Sequence, residues 1–105
     1  MVVGYVGTYV PMSPTQRPKS KPEEIVVERI QTGVRLEKRL LKVLKGLAEL
    51  KDLSLGDLLE GIVLHALEGK APFTPETMKE IAKLRDIYGL TLRASDSHHL
   101  QERES

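Results

Sequence analysis

The sequence predicts a mainly α-helical domain with one short β-strand, and three observations lead to this prediction. An alternation of apolar and polar residues occurs once, over residues 25–36. After residue 36 the apolar period changes to that of a helix, and three helical segments follow. Aromatic residues make up only 4% of the 105 residues, so we expect a core of Leu, Ile and Val. A chain of this length forms one domain.

The strand is predicted because its side chains alternate between two sides. The apolar side carries residues spaced by two: Ile30, Thr32, Val34 and Leu36. The residues between them are polar or small: Arg29, Gln31, Gly33 and Arg35. The sequence offers no second strand, and a lone strand leaves its backbone hydrogen-bonding groups unpaired. We therefore expect a second copy of the chain to pair with it, which makes the protein a homodimer.

Helical spacing predicts two helices directly after the strand. The first covers residues 37–51, with apolar residues on one face and lysines on the other. Gly46 lies inside it and destabilises a helix by up to about 1 kcal/mol relative to Ala, which indicates close packing. The second follows the N-cap residue Ser54 and ends at Gly69. Its apolar face is too wide for packing on the first helix alone, and self-association accounts for that width.

A third helix is predicted from its end signals. Thr74 is the N-cap, Pro75 is the first helical residue and Gly89 ends the helix. The whole chain then divides into four parts, listed by residue number: a flexible Pro-rich arm (1–24), the strand and the first two helices (25–69), a linker with the third helix and a short extended piece (70–92), and a polar tail (93–105).

Charge is distributed unevenly along the chain, although the net charge is only +1. Residues 29–51 contain seven basic and two acidic residues, a balance of +5. Residues 52–105 contain six basic and ten acidic residues, a balance of −4. This asymmetry indicates either an anionic partner for the basic centre or charge pairing between the two halves.

Several classes of protein have no support in the sequence. Cys is absent, which excludes disulfides, thiolate metal sites and cysteine nucleophiles. No apolar run approaches the roughly 20 residues of a membrane helix, and residues 1–10 do not look like a signal peptide. His98 and His99 lie in the polar tail and do not make a metal site, and no catalytic motif occurs. We expect a cytoplasmic protein that is not an enzyme and binds no cofactor or metal.

The order of one unpartnered strand and two helices resembles the ribbon-helix-helix family of DNA-binding proteins. The resemblance covers about residues 29–67, a little over a third of the chain. It rests on the strand end, the two helix seams and the turn between them: Val34, Arg35, Leu36, Leu40, Leu41, Leu44, Leu47, Ala48, Leu53, Ser54, Leu58, Leu59, Ile62 and Val63. The family usually has a Gly before the Leu-Ser pair of the turn, and Asp52 stands there in this sequence.

The resemblance implies an intertwined homodimer whose two strands form a two-stranded antiparallel ribbon, with a third C-terminal helix added. The ribbon of such proteins enters the major groove of double-stranded DNA. The outward residues Gln31, Gly33 and Arg35 are then the expected base contacts. Arg35 suits guanine and Gln31 suits adenine, whereas Gly33 has no side chain and allows close approach of the backbone.

Further contacts follow from the same resemblance. Phosphate is expected at the start of the second helix, on the backbone N–H groups of Ser54, Leu55 and Gly56. Arg29, Lys38 and Lys42 are expected to add phosphate contacts. The expected dimer core consists of apolar residues: Val34, Leu36, Leu40, Leu44, Leu47, Leu58, Leu59, Ile62 and Val63. The implied function is sequence-specific DNA binding by a transcriptional regulator, either a repressor or an antitoxin-like protein.

Two other interpretations fit parts of the sequence. A helix-turn-helix protein would place the second helix in the groove, but Leu55–Leu67 is apolar and acidic and lacks the Arg, Lys, Asn and Gln side chains that a groove helix should carry. The other alternative is a dimeric protein-interaction module that binds a partner protein through residues 74–105 and does not bind DNA. The sequence alone leaves open whether the third helix docks on its own core or on such a partner.

Overall fold

The computed structural model describes residues 24–103, which contain three α-helices and one short 3₁₀-helix. We label the helices α1 (Lys38–Leu50), α2 (Leu55–Leu67) and α3 (Pro75–Tyr88), and the 3₁₀-helix covers Ala94–Asp96. The three predicted helices are confirmed. The chain divides into two units at the boundary between Gly33 and Val34. The predicted arm of residues 1–24 lies outside the described residues, except for Glu24.

The predicted strand is wrong, because residues 24–37 form neither a helix nor a strand. The side chains expected on its buried side are exposed, with 84% of Ile30 and 72% of Val34 open to solvent. A strand needs a partner for its backbone N–H and C=O groups, and no described residue is assigned to a strand. The predicted fold of one strand and a two-stranded ribbon is therefore corrected to three helices in the described part of the chain.

The core lies around α1, which packs against both α2 and α3. The buried apolar residues come from all three helices and the segment after α3: Val43, Leu47, Ala48, Leu58, Leu84 and Leu90. The side chains that pack around them in half-buried positions are Leu40, Leu44, Ile62, Phe73, Ile81 and Leu92. The third helix thus docks on its own chain, which answers the question that the sequence left open.

Gly46 of α1 faces the side chains of α3 at short distance. A Cβ built on Gly46 would lie 3.0 Å from Cδ2 of Leu84 and 3.5 Å from Cε2 of Tyr88. A larger residue would have to displace the Leu84 side chain, which is itself buried in the core. The close packing predicted from a glycine inside a helix is therefore confirmed, and α3 is the neighbour that requires it.

The ends of α2 and α3 carry the capping residues that the sequence predicts. The Ser54 hydroxyl accepts a hydrogen bond from the Asp57 N–H at 3.1 Å, and Thr74 does the same for Thr77. Beyond α2, the Lys70 N–H donates to the His65 carbonyl at 2.8 Å across Gly69, whose φ is +74°. Local chemistry therefore fixes where these helices begin and end.

The turn between α1 and α2 depends on a residue in the left-handed backbone region. Asp52 has a φ of +56°. Its N–H donates to the Glu49 carbonyl at 3.2 Å, and the Leu53 N–H donates to the Ala48 carbonyl at 2.9 Å. This pair of bonds is the Schellman arrangement, in which the left-handed position is usually Gly. The backbone conformation thus gives the physical reason why a Gly is expected at position 52.

We predict that Asp52→Gly stabilises the protein by about 0.5–1 kcal/mol, because Gly adopts the left-handed conformation without the steric cost that Asp bears. The gain stays small because Gly also raises the entropy of the unfolded chain. The measurement is the urea midpoint of unfolding. Asp52→Asn is the control, since it removes the charge and keeps the shape. A lower midpoint for Asp52→Gly than for the unsubstituted protein would contradict the prediction.

Candidate nucleic-acid interface

The residues expected to contact bases fall in different units of the chain. Gln31 and Gly33 lie before the unit boundary, are exposed and belong to no helix or strand. Arg29 lies in the same unit and is also exposed. Arg35 follows the boundary, three residues before α1 begins. A common face for these residues would require the strand that the described residues lack, so their joint reading of bases stays a prediction.

The exposed face of α1 carries a row of three lysines, which we call the lysine row. Lys38, Lys42 and Lys45 are spaced by four and three residues and therefore lie on one side of the helix. All three are exposed, and none of them forms an ion pair with another described residue. At a rise of 1.5 Å per residue the row extends for roughly 10 Å. The opposite face of α1 holds the buried residues Val43 and Leu47.

Two groups beside the lysine row are already engaged by the fold. The Glu37 carboxylate accepts a hydrogen bond from the Leu40 N–H at 2.8 Å and so caps α1. This hydrogen bond is the largest cause of a lowered pKa for Glu37. The Arg39 guanidinium donates to the Gly89 carbonyl at 3.4 Å, at the end of α3. The Glu37 carboxylate is thus engaged by the helix end and forms no ion pair with the lysine row within the described residues.

Arg35 is held by a carboxylate far along the chain. Its Nε donates to Oε1 of Glu102 at 3.1 Å, and its Nη2 donates to Oε2 of the same residue. The Arg35 side chain is 82% exposed and that of Glu102 is 64% exposed. The hydrogen bonding of the Arg35 guanidinium to the Glu102 carboxylate raises the pKa of Arg35. The two-point geometry is the one by which arginine recognises carboxylates and guanine.

The start of α2 is a weaker anion site than the sequence suggested. Ser54 and Gly56 are exposed there, and Leu55 is half-buried. The first turn also contains the carboxylate of Asp57, whose own N–H is taken by the Ser54 hydroxyl. A negative side chain at this end already interacts favourably with the helix dipole and would repel a phosphate. Phosphate contact at Ser54, Leu55 and Gly56 stays a prediction.

The residues expected in a dimer core occupy three different environments in the single chain. Leu47 and Leu58 are buried, and Leu40, Leu44, Leu59 and Ile62 are half-buried. Val34, Leu36 and Val63 are exposed. Val63 belongs to an outward face of α2 that also carries Leu64 and Leu67, all at least 50% exposed. An apolar face of this kind on a helix is where another surface would pack.

Glu102 and Arg39 are the residues of this region that the sequence analysis missed. Arg39 lies on a predicted helix, but nothing in its spacing points to the Gly89 carbonyl. For Glu102 a general signal existed, since the charge asymmetry allowed pairing between the basic centre and the acidic half. The signal does not identify the carboxylate, because an ion pair between residues 67 positions apart depends on the path of the chain after α3.

No other site emerges from the part of the chain that the structure describes. Among these residues, no group of three or more His, Asp or Glu side chains is placed to hold a metal ion. None of the described helices combines the length and the apolar character needed to cross a bilayer. Comparisons with protein-family models, curated proteins and solved structures gave no match to the chain.

We predict that Glu37→Gln destabilises the protein by at most about 1 kcal/mol at pH 7 and has less effect at low pH. The pKa of Glu37 is lowered in the folded protein from an ordinary value of 4.5, so its carboxylate stabilises the fold above that pH. This stabilisation is lost as the pH falls through the lowered pKa. Urea unfolding at pH 7 and pH 3 measures the difference.

The control for this experiment is Glu49→Gln, which removes the same charge from α1 without removing a helix cap. It should change the free energy of unfolding less than Glu37→Gln does at pH 7. An effect of Glu37→Gln that is equally large at both pH values would show that the carboxylate charge does not stabilise the helix end.

Proposed function

We propose that the protein binds double-stranded DNA as a homodimer and regulates transcription. The observation that supports this most directly is the lysine row. Three ammonium groups lie on one helix face, and none of them has a carboxylate partner among the described residues. DNA carries one phosphate charge per about 1.7 Å of its axis, and lysines that neutralise phosphates release bound counterions. On this proposal the protein is cytoplasmic.

The lysines and Arg35 have different roles in the proposed complex. Lys38, Lys42 and Lys45 act as point charges on the phosphate backbone, which gives affinity and orientation but no sequence preference. Arg35 lies just before the row and presents a guanidinium that can donate two hydrogen bonds to guanine O6 and N7. Gln31 remains a candidate second reader. Sequence preference in this proposal therefore depends mainly on arginine, and affinity on lysine.

A second copy of the chain is proposed to pack on the outward face of α2. Val63 and Leu67 of this face continue, at a spacing of four residues, from the half-buried Leu59, and the order Leu-Val-Leu is the same in both directions. Two such faces can meet across a two-fold axis with Val63 against Val63 and Leu59 against Leu67. Dimerisation would double the number of lysine rows that face one DNA molecule, which strengthens binding through effective concentration.

The alternative of a protein-interaction module has less support. It requires the C-terminal helix to present its apolar side to a partner protein. In α3 the part of that side around Leu84 is buried in the core against α1, whereas Met78 and Ile87 are exposed. A partner that bound α3 through the same side would have to displace it from its own core.

We predict that the protein binds mixed-sequence duplex DNA and that the double variant Lys38→Gln/Lys42→Gln binds it more weakly. The plot of log K against log salt has a negative slope, and each lost phosphate contact should make it less steep by about 1. The slope of the double variant should therefore be less steep by about 2. Fluorescence anisotropy over a salt series measures both quantities. The lost contacts lower affinity on every DNA sequence, because phosphates are the same throughout.

The matched control is Lys79→Gln/Lys83→Gln, which removes two exposed lysines at the same spacing from α3. This pair should leave the slope close to that of the unsubstituted protein. The proposal is wrong if the unsubstituted protein does not bind duplex DNA even at low salt. If both double variants lose the same affinity, the lysine row is not the interface.

We predict that Val63→Lys converts the dimer to a monomer, because a charge at the centre of the symmetric face would meet its own copy without a partner. Light scattering or sedimentation measures the mass. Met78→Lys is the matched control, since Met78 and Val63 are both 50% exposed and Met78 lies on α3. A specific dimer should be populated at a protein concentration of roughly tens of micromolar. An unsubstituted protein that is monomeric at this concentration would refute dimerisation.

A further inference from the structure

The segment after α3 is fixed to the helices and leads back to the start of α1. The Arg85 guanidinium donates to the Leu92 carbonyl at 2.6 Å, which holds the beginning of this segment. The Asp96 carboxylate accepts from the Arg93 N–H at 2.7 Å, and this bond caps the start of the 3₁₀-helix. His98 then adopts a φ of +68°, which turns the chain. Hydrogen bonds therefore order the segment after α3, although its sequence is polar.

The returning segment lies beside the residues that precede and begin α1. Leu100 and Gln101 line a small pocket together with Glu37 and Arg39. One residue further on, Glu102 forms its two hydrogen bonds with Arg35. The pocket and the ion pair are separate observations, and both place residues 100–102 against the same end of α1. The segment therefore covers the start of the proposed DNA-binding face and not its lysine row.

The contact with Glu102 occupies the donors that a base would need. A guanidinium reads guanine by donating two hydrogen bonds to O6 and N7, and Arg35 here donates from Nε and Nη2 to the two carboxylate oxygens. A carboxylate also neutralises the charge that would attract a phosphate. Arg35 cannot make the same two-point contact with Glu102 and with a base at once.

We propose that Glu102 is an autoinhibitory latch, which competes with DNA for the guanidinium of Arg35. This proposal rests on the proposed DNA binding and adds its regulation. DNA must open the latch before Arg35 reaches a base, so a fraction of the binding free energy is spent on releasing Glu102. The ion pair is exposed at both partners, so it is screened by salt and the latch is weak. Its effect is therefore largest at low ionic strength.

The first test is the DNA affinity of the full-length variant Glu102→Gln. We expect it to bind duplex DNA about two- to fivefold more tightly than the unsubstituted protein at low salt, with the difference shrinking as salt rises. Removal of any carboxylate strengthens binding to an anion to some degree. Glu76→Gln, which removes an exposed carboxylate from the first turn of α3, is the control for this general effect.

The same substitutions in an Arg35→Gln protein distinguish an effect through Arg35 from the general effect of removing a negative charge. In an Arg35→Gln protein the latch has no partner, so Glu102→Gln should then raise DNA affinity no more than Glu76→Gln does. If Glu102→Gln and Glu76→Gln have equal effects in the unsubstituted background, the latch is refuted while DNA binding stands. If the gain from Glu102→Gln survives unchanged in the Arg35→Gln background, Glu102 does not act through Arg35.

A measurement without DNA tests the ion pair itself. The Nε–H resonance of Arg35 in an NMR spectrum should shift in Glu102→Gln and stay in place in Glu76→Gln. An unchanged resonance in both variants overturns the latch and leaves the proposed function untouched. If the resonance shifts but no variant binds duplex DNA at low salt, the proposed function fails, and the latch fails with it because it has nothing to regulate.

Discussion

The packing of α1 against α3 is the contact on which the rest of the described structure depends. Within the described residues the close backbone approaches between helices are those of α1 with α3 and of α1 with α2. Leu47, the most deeply buried residue of the core, lies on α1. Gly46 beside it allows Leu84 of α3 to come within van der Waals distance of the α1 backbone. One face of α1 is therefore buried in the core.

The burial of one face of α1 determines which side chains the opposite face exposes to solvent. A helix that buries Val43, Leu47 and Ala48 on one side must direct Lys38, Lys42 and Lys45 outward, because the two sets differ in their angular position on the same turns. The scaffold thus holds three cations on a rigid element, where a binding site is more precise than on a loop. The same docking of α3 brings the segment after it back to Arg35.

The sequence predicted those features that depend on local chemistry. Ser54, Thr74 and Pro75 mark helix starts through hydrogen bonds and backbone angles that span only three or four residues, and the structure confirms these helix ends. Gly46 indicated close packing because a glycine within a helix needs a compensating contact. The prediction of a strand was wrong because a strand depends on more than local chemistry. Alternation shows that the two sides of a segment differ, but a strand also needs a partner, which no single segment can encode. The contact of Arg35 with Glu102 escaped prediction because it depends on how the whole chain is folded.

Two ion pairs among the described residues that join the basic centre to the acidic half have different consequences. Lys51 and Glu80 lie 2.8 Å apart and link the end of α1 to α3, so this pair adds to a contact that the core already makes. Arg35 and Glu102 lie outside the core, and their side chains are mostly exposed. The packing of α1 against α3 brings the first pair together, although both side chains are partly exposed, whereas the second lies outside the core and contributes a small and salt-dependent energy. A chain with a net charge of +1 can therefore keep a basic face available to an anion only where its own carboxylates are held elsewhere or released easily. The N–H of Leu40 engages the Glu37 carboxylate, and Lys51 engages that of Glu80. Glu102 belongs to an exposed ion pair, from which a carboxylate is released easily.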